Sequence, residues 1–222
     1  NAHPHQSERF VVVHNGIIEN YEQLKYELRQ LNYVFVSDTD TETIAHLLHY
    51  LSQSLDTFDL IVKATLGRLK GAYAIAIMDA KTPGVIWVAR QGSPLVIGVG
   101  HGEHFVGSDQ LALHHVTDRF IFLEEGDSAR LTSDSLEIFD NLWRASNRSL
   151  IQSTANFDAI SKGSYRHFMA KEIHEQPKAV RSTLAGRIGA DQLMVGILGP
   201  AGDLLLKDVE AIQIVACGTS YH

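Results

Sequence analysis

The triplet His14-Asn15-Gly16 closes a short apolar run, Phe10 to Val13. An Asn side-chain amide and a Gly backbone N–H at a strand end can donate together to one oxygen, the arrangement of an oxyanion hole. Glycine suits that task because no Cβ shields its N–H. The same Asn-Gly pair is also inexpensive turn chemistry, and the residues alone leave both readings open. A second candidate is Asp38-Thr39-Asp40-Thr41-Glu42. A carboxylate there can hold the α-ammonium group of an amino-acid ligand through a charge-assisted bond. It can equally cap the helix that follows. The two roles coexist if Asp38 or Thr39 caps and Asp40 faces ligand.

Other residue groups carry weaker signals. His3-Pro4-His5, with His14 close in sequence, has the types of a metal site, but no Cys or downstream carboxylate completes a recognisable spacing. No metal is expected. Cys217-Gly218-Thr219-Ser220 follows an apolar run, Ile212 to Ala216, that reads as a buried strand. A Gly-Thr-Ser turn at the end of a parallel strand offers N–H groups and hydroxyls to a phosphate. Cys217 fits a buried structural cysteine better than a nucleophile. Arg90 to Leu95 and Gly107 to Gln110 read as turns within a sheet. No Gly-x-Ser-x-Gly elbow is present, which argues against a serine hydrolase of that type.

The elements that must position these residues follow from periodicity. Helices are expected at Tyr21 to Leu31, behind an Asn20 cap with Gln23 in the capping-box position, then around Ile44 to Leu51, and from Phe58 to Leu69, with Gly71 as a C-terminal cap. Tyr33 to Val36 reads as a short strand. From Ala72 the period changes, and strands are expected at Ala72–Met78, Val85–Ala89, Leu95–Val99, His104–Val106, Arg119–Leu123, Ser128–Leu131 and Leu136–Phe139. Helices ahead of a sheet-rich block define an α+β or layered α/β class. A polar, weakly patterned stretch from Asn147 to Ser164 reads as a linker. Tyr165 to Leu184 is helical in pattern, with Pro177 as a break or kink.

Bulk composition narrows the function classes. The 222 residues are 45% hydrophobic and 20% charged, near the globular norm. Nineteen basic against 26 acidic residues leave a net charge of −7, the wrong sign for a nucleic-acid surface. No apolar run approaches the ~20 residues needed to span a bilayer. A single cysteine suits a reducing, cytoplasmic setting.

Taken together these segments resemble the class II glutamine amidotransferases, in the branch that forms amino sugars. The likeness lies in Val11-Val12-Val13-His14-Asn15-Gly16-Ile17-Ile18-Glu19-Asn20, in Ser37 to Glu42, in Arg90 to Leu95, Gly107 to Leu113 and Phe120 to Asp127, in Lys171-Glu172-Ile173-His174-Glu175-Gln176-Pro177, and in Ala216 to Tyr221. It covers essentially the whole chain, as an internal piece of a longer enzyme. It implies a four-layer αββα sandwich of the N-terminal-nucleophile type over residues 1–156, incomplete at its N-terminus. A linker at 157–164 and the first helix and strand of an α/β sugar isomerase domain, 165–222, follow.

The reaction implied moves the amide nitrogen of glutamine to fructose 6-phosphate, giving glucosamine 6-phosphate and glutamate, with no cofactor. By the same resemblance Asn15 and Gly16 form the oxyanion hole, Asp40 contacts the ligand amine, and His3 lies near the glutamine. Thr219 and Ser220 form part of the phosphate site. The family's nucleophile is a first-residue cysteine whose own α-amino group, of ordinary pKa ~7.7–8.0, serves as base. That cysteine and the carboxylate-binding arginine fall upstream of the matched region, so the chain alone is expected to be inactive. A homodimer of the full-length protein is implied, with no nucleic-acid or membrane partner. Two other readings remain: a phosphoribosylamine- or asparagine-forming member, and a non-catalytic module that binds an amino acid or a sugar phosphate.

Overall fold

The computed structural model describes residues 2–153, 162–188, 202 and 209–216. The chain divides into two compact units, Asn1–Ala155 and Asn156–His222. In the first, β1 (His5–Ser7) and β2 (Phe10–Ile18) precede three helices, α1 (Tyr21–Gln30), α2 (Thr41–Leu51) and α3 (Phe58–Leu66). Then come β3 (Gly71–Asp79), β4 (Ile86–Gln91), β5 (Val96–Val99), β6 (His104–Gly107), the single turn α4 (Gln110–Leu113), β7 (Arg119–Phe122), β8 (Ser128–Leu131), β9 (Leu136–Phe139), β10 (Ala145–Ser146) and β11 (Leu150–Gln152).

The strands form two sheets. One has the order β1-β2-β3-β4-β8-β9-β10 and the other β11-β7-β5-β6, and all their pairings are antiparallel. Alternation along β3 shows how the layers are made. Ile75 and Ile77 join α1, α2 and α3 in one apolar cluster, with Val12, Leu28, Ile44, Leu47 and Ile61. Their neighbour Ala74 turns to a second cluster between the sheets, with Val88, Ile97, Ile121 and Leu131. Successive side chains of a strand face opposite ways, so one strand serves two interfaces. Burying a Leu or Ile in either interface contributes about 1.5–3 kcal/mol. On the far side of the smaller sheet, the described helix is α4, beside Phe120 and the His114 ring.

The helices form where their apolar spacing supplies a face. Leu24 and Leu28 are the buried residues of α1, four apart and therefore stacked. Helix α2 buries every residue from Thr41 to Leu48, which places it under the sheet rather than on the surface. Thr57 caps α3, its hydroxyl accepting from Leu60 N–H at 3.3 Å.

Several local expectations are corrected. Asn15-Gly16 is not a turn: both residues lie inside β2, opposite Ala74 and Tyr73 of β3. Asn20 stands at the α1 N-cap without capping it. Its amide spans to the loop before β3, donating to Arg68 O and accepting from Lys70 N–H. Gly71 does not end α3, which stops at Leu66. It opens β3 with φ +125°, where a Cβ would overlap Ile17 O across the ladder. Residues 33–36 form no strand. Tyr33 and Phe35 turn inward while Val34 and Val36 are exposed, but no neighbouring strand pairs with them.

In the second unit α5 (Phe168–Leu184) continues through Pro177 rather than breaking there. The bond that proline cannot make falls on an exposed stretch of the helix, where the carbonyl it leaves free is open to solvent. Residues 212–216 form no strand and Ile212 to Val215 are exposed, since an apolar run becomes a strand only beside a partner.

Candidate active site

The site is assembled where the end of β2, the segment leading into β1 and the start of α2 meet. Because β2 and β3 pair over nine residues, the β2 side chains alternate rigidly. Phe10, Val12 and His14 turn toward α2, whereas Val13 and Asn15 turn the other way and are exposed. Gly16 has φ +135°, and a Cβ there would overlap the Ala72 carbonyl oxygen. Only glycine fits that backbone against β3, whatever else its N–H does.

A cleft of about 240 Å³ opens beside Asn15, lined by His3, Val13, Ala74 and Ala76 on one side and Leu95, Gly107 and Ser108 on the other. The two turn segments read from sequence, 90–95 and 107–110, each supply part of that wall. Asp40 is not among its lining residues. It approaches β2 from the α2 side, and its Oδ2 accepts the Ile18 N–H at 2.7 Å. Its Oδ1 lies 3.7 Å from His14 Nδ1. Although Asp40 occupies the α2 N-cap position, its side chain makes no cap bond. The carboxylate is used across the fold instead, with its side chain one-fifth exposed.

Thr41 ties the remaining groups together. Its hydroxyl is 3.2 Å from His3 Nε2 and 3.1 Å from His14 Nδ1. His14 is 5% exposed and its Nε2 is buried without a protein partner. Burial lowers its pKa, against the opposing pull of the Asp40 charge. Of the residues read from sequence, His3 and Asn15 line the cleft, Gly16 follows in β2, and Asp40 reaches the end of β2 from the α2 side. The other two, Thr219 and Ser220, lie outside the described residues, as does Cys217.

Sequence reasoning missed the polar scaffold behind them. Glu42 is 3% exposed, and its carboxylate accepts Val36 N–H and Ser37 N–H, each at 2.8 Å, and the Ser37 hydroxyl at 2.6 Å. His46 stands 3.5 Å from Glu42, 2.8 Å from the Ser7 hydroxyl and 3.1 Å from Val34 O. His5 Nε2 lies 3.1 Å from the Thr39 hydroxyl. The available signal was the alternation His3-x-His5-x-Ser7, which is strand spacing that Pro4 made look like a loop. Among the described residues, no group of three or more His, Cys, Asp or Glu is arranged to hold a metal ion.

The family profile described as "Glutamine amidotransferase domain" matches residues 2–115, just over half of the sequence, and the chain belongs to that family. Over all 222 residues it is 54% identical to the glutamine–fructose-6-phosphate aminotransferase [isomerizing] of Escherichia coli (strain K12). It is 52% identical over 223 aligned residues to the protein of that name from Pseudomonas putida. It spans 36% of the length of each of these curated relatives.

Among solved structures, the glutamine phosphoribosylpyrophosphate amidotransferase of B. subtilis, complexed with ADP and GMP, superposes with a TM-score of 0.54. Its identity is 28% over 64% of this chain and 32% of that one. A structure described as the allosteric regulatory enzyme of purine biosynthesis gives 0.52 and 27%, over 62% of this chain and 30% of that one. The sandwich is therefore the N-terminal-nucleophile amidotransferase fold that the sequence resemblance implied.

Proposed function

We propose that this chain forms the oxyanion and amine side of a glutamine site in an enzyme that moves the glutamine amide nitrogen to fructose 6-phosphate. The observation that supports it best is the cleft that His3 and Asn15 line beside Gly16, with Asp40 bonded to the end of the same strand, in a chain 54% identical throughout to enzymes of that name.

On this reading the Asn15 side-chain amide and the Gly16 N–H donate to the oxygen that becomes negative when a nucleophile adds to the glutamine amide carbon. Donors fixed in advance at such an oxygen are worth several kcal/mol of barrier. Gly16 is suited because no side chain shields its N–H and its strand is paired with β3 on either side of it. Asp40 takes the α-ammonium group of glutamine while Ile18 N–H holds the carboxylate in place. His3, held through Thr41, completes the wall of the cleft. Thr219 and Ser220 are proposed, on the resemblance alone, to contact the sugar phosphate, and Cys217 is given no part in glutamine hydrolysis. No cofactor is invoked. Assembly as a homodimer in the cytoplasm belongs to the same proposal. Among the described residues, no helix is long and apolar enough to cross a membrane.

The test uses the intact enzyme with glutamine labelled at the amide nitrogen. Label is expected in glucosamine 6-phosphate when fructose 6-phosphate is the acceptor. Label appearing only with phosphoribosyl pyrophosphate or aspartate would assign the chain to another member of the family. Label in no acceptor, with glutamine bound but intact, would favour a binding module.

A further inference from the structure

The segment that delivers Asp40 is not held by regular structure or by a continuous apolar contact. Residues 33–40 belong to no helix or strand, and Val34 and Val36 are 74% and 89% exposed. Phe35 packs inward, with its ring 4.6 Å from the His46 ring, and fixes the upstream end. Between Phe35 and Asp40 the restraint is polar: the Thr39 hydroxyl lies 3.1 Å from His5 Nε2, Lys25 Nζ donates to Ser37 O at 3.5 Å, and three further bonds converge on one buried group, the Glu42 carboxylate. It takes two successive backbone N–H groups, of Val36 and Ser37, and the Ser37 hydroxyl. The same hydroxyl lies 3.2 Å from Thr39 Oγ1 and accepts Thr39 N–H at 3.4 Å. The loop is thus pinned from Val36 to the residue immediately before Asp40.

We infer that Glu42 is a positioning residue for glutamine recognition: its carboxylate folds the 36–39 loop into the one shape that aims Asp40 at the substrate α-ammonium group. The inference rests on the reading of Asp40 given above. A buried carboxylate accepting several donors fixes a loop more rigidly than surface contacts do, because leaving any of those donors unpaired is costly. Sequence proximity adds to this, since Glu42 and Asp40 flank Thr41 at the start of α2. The anchor, the aimed carboxylate and the Thr41 bridge to His3 and His14 therefore move as one body. Glu42 does not touch the substrate.

The test compares two substrates in the intact enzyme, glutamine and glutaramate, which lacks the α-amino group. On the Asp40 reading the unsubstituted enzyme prefers glutamine, and Asp40→Asn should collapse that preference. Glu42→Gln keeps side-chain shape but turns an N–H toward donors. It is expected to lower kcat/KM for glutamine about tenfold or more, chiefly through KM, while glutaramate changes little. Ser37→Ala, which removes one donor and leaves Glu42 intact, should shift the preference in the same direction by less, and serves if Glu42→Gln fails to fold. A merely structural role would lower both substrates together. If Asp40→Asn collapses the preference while Glu42→Gln and Ser37→Ala leave it intact, the positioning role is overturned and the Asp40 reading survives. If Asp40→Asn itself leaves the preference unchanged, the Asp40 reading falls and this inference with it.

Discussion

The Asp40 carboxylate accepts the backbone N–H of Ile18 at 2.7 Å, joining the first residue before α2 to the last residue of β2. A residue that could have capped its own helix instead spans to a strand 22 positions earlier. Its second oxygen stays beside His14 and retains acceptor capacity. The consequence can be separated by substitution. Asp40→Asn keeps an acceptor for Ile18 N–H but removes the charge. Affinity for glutamine should drop by roughly 10- to 150-fold, the worth of one charge-assisted bond, while the melting temperature changes little. Steady-state kinetics and calorimetric melting read the two effects independently.

Thr41 bridges two histidines with one hydroxyl. Thr41→Val preserves volume and strips both bonds, leaving the buried His14 ring with no hydrogen bond and only the Asp40 carboxylate, 3.7 Å from Nδ1, beside it. A loss of about 1–3 kcal/mol of stability is expected. Thr41→Ser, which keeps the hydroxyl, should recover most of it. Equal melting of the two variants would remove the bridge from the account.

Acid should weaken the site before it weakens the sheets. His46, His14 and His5 have pKa values below their ordinary 6.5, each chiefly because burial disfavours the charged ring. The unfolded chain then binds more protons than the folded one below 6.5, so their contribution is present above that pH and is lost as pH falls toward the lowered values. Glu42 adds a later step. Burial pushes its carboxyl up, but the Ser37 hydroxyl and the Val36 and Ser37 N–H groups outweigh this and hold it below its ordinary 4.5. Its contribution is present above 4.5 and lost as pH drops through the folded value. Melting curves from pH 8 to 4 should show stability falling from about pH 6.5 downward. His46→Gln should flatten the upper part of that fall.

Gly16 tolerates no side chain. Strain at positive φ and overlap with Ala72 O together cost Gly16→Ala about 2–6 kcal/mol. The melting temperature should fall by more than about 5 °C. An unshifted melt would mean that β2 relaxes at this point and that the backbone there is not fixed.

Much of this was legible in the residue pattern. The two-residue alternation Ala74-Ile75-Ala76-Ile77 announces a strand with two faces, and Ile44, Leu47, Leu48 and Leu51 announce a helix with one. What misled was local chemistry without its partner. Asn15-Gly16 has turn composition, yet nine cross-strand pairings with β3 override it. Tyr33 to Val36 alternates like a strand, yet nothing lies beside it to complete a ladder. The Glu42 anchor was invisible because its bonds run to backbone N–H groups, which carry no sequence signature.

The most direct measurement is the turnover of glutamine by Asn15→Ala in the intact enzyme. Removing one oxyanion donor should lower kcat about 10²- to 10³-fold with KM nearly unchanged, because the bond forms only as charge develops. A kcat within a few-fold of the parent would contradict the assignment of Asn15 and Gly16 as an oxyanion hole.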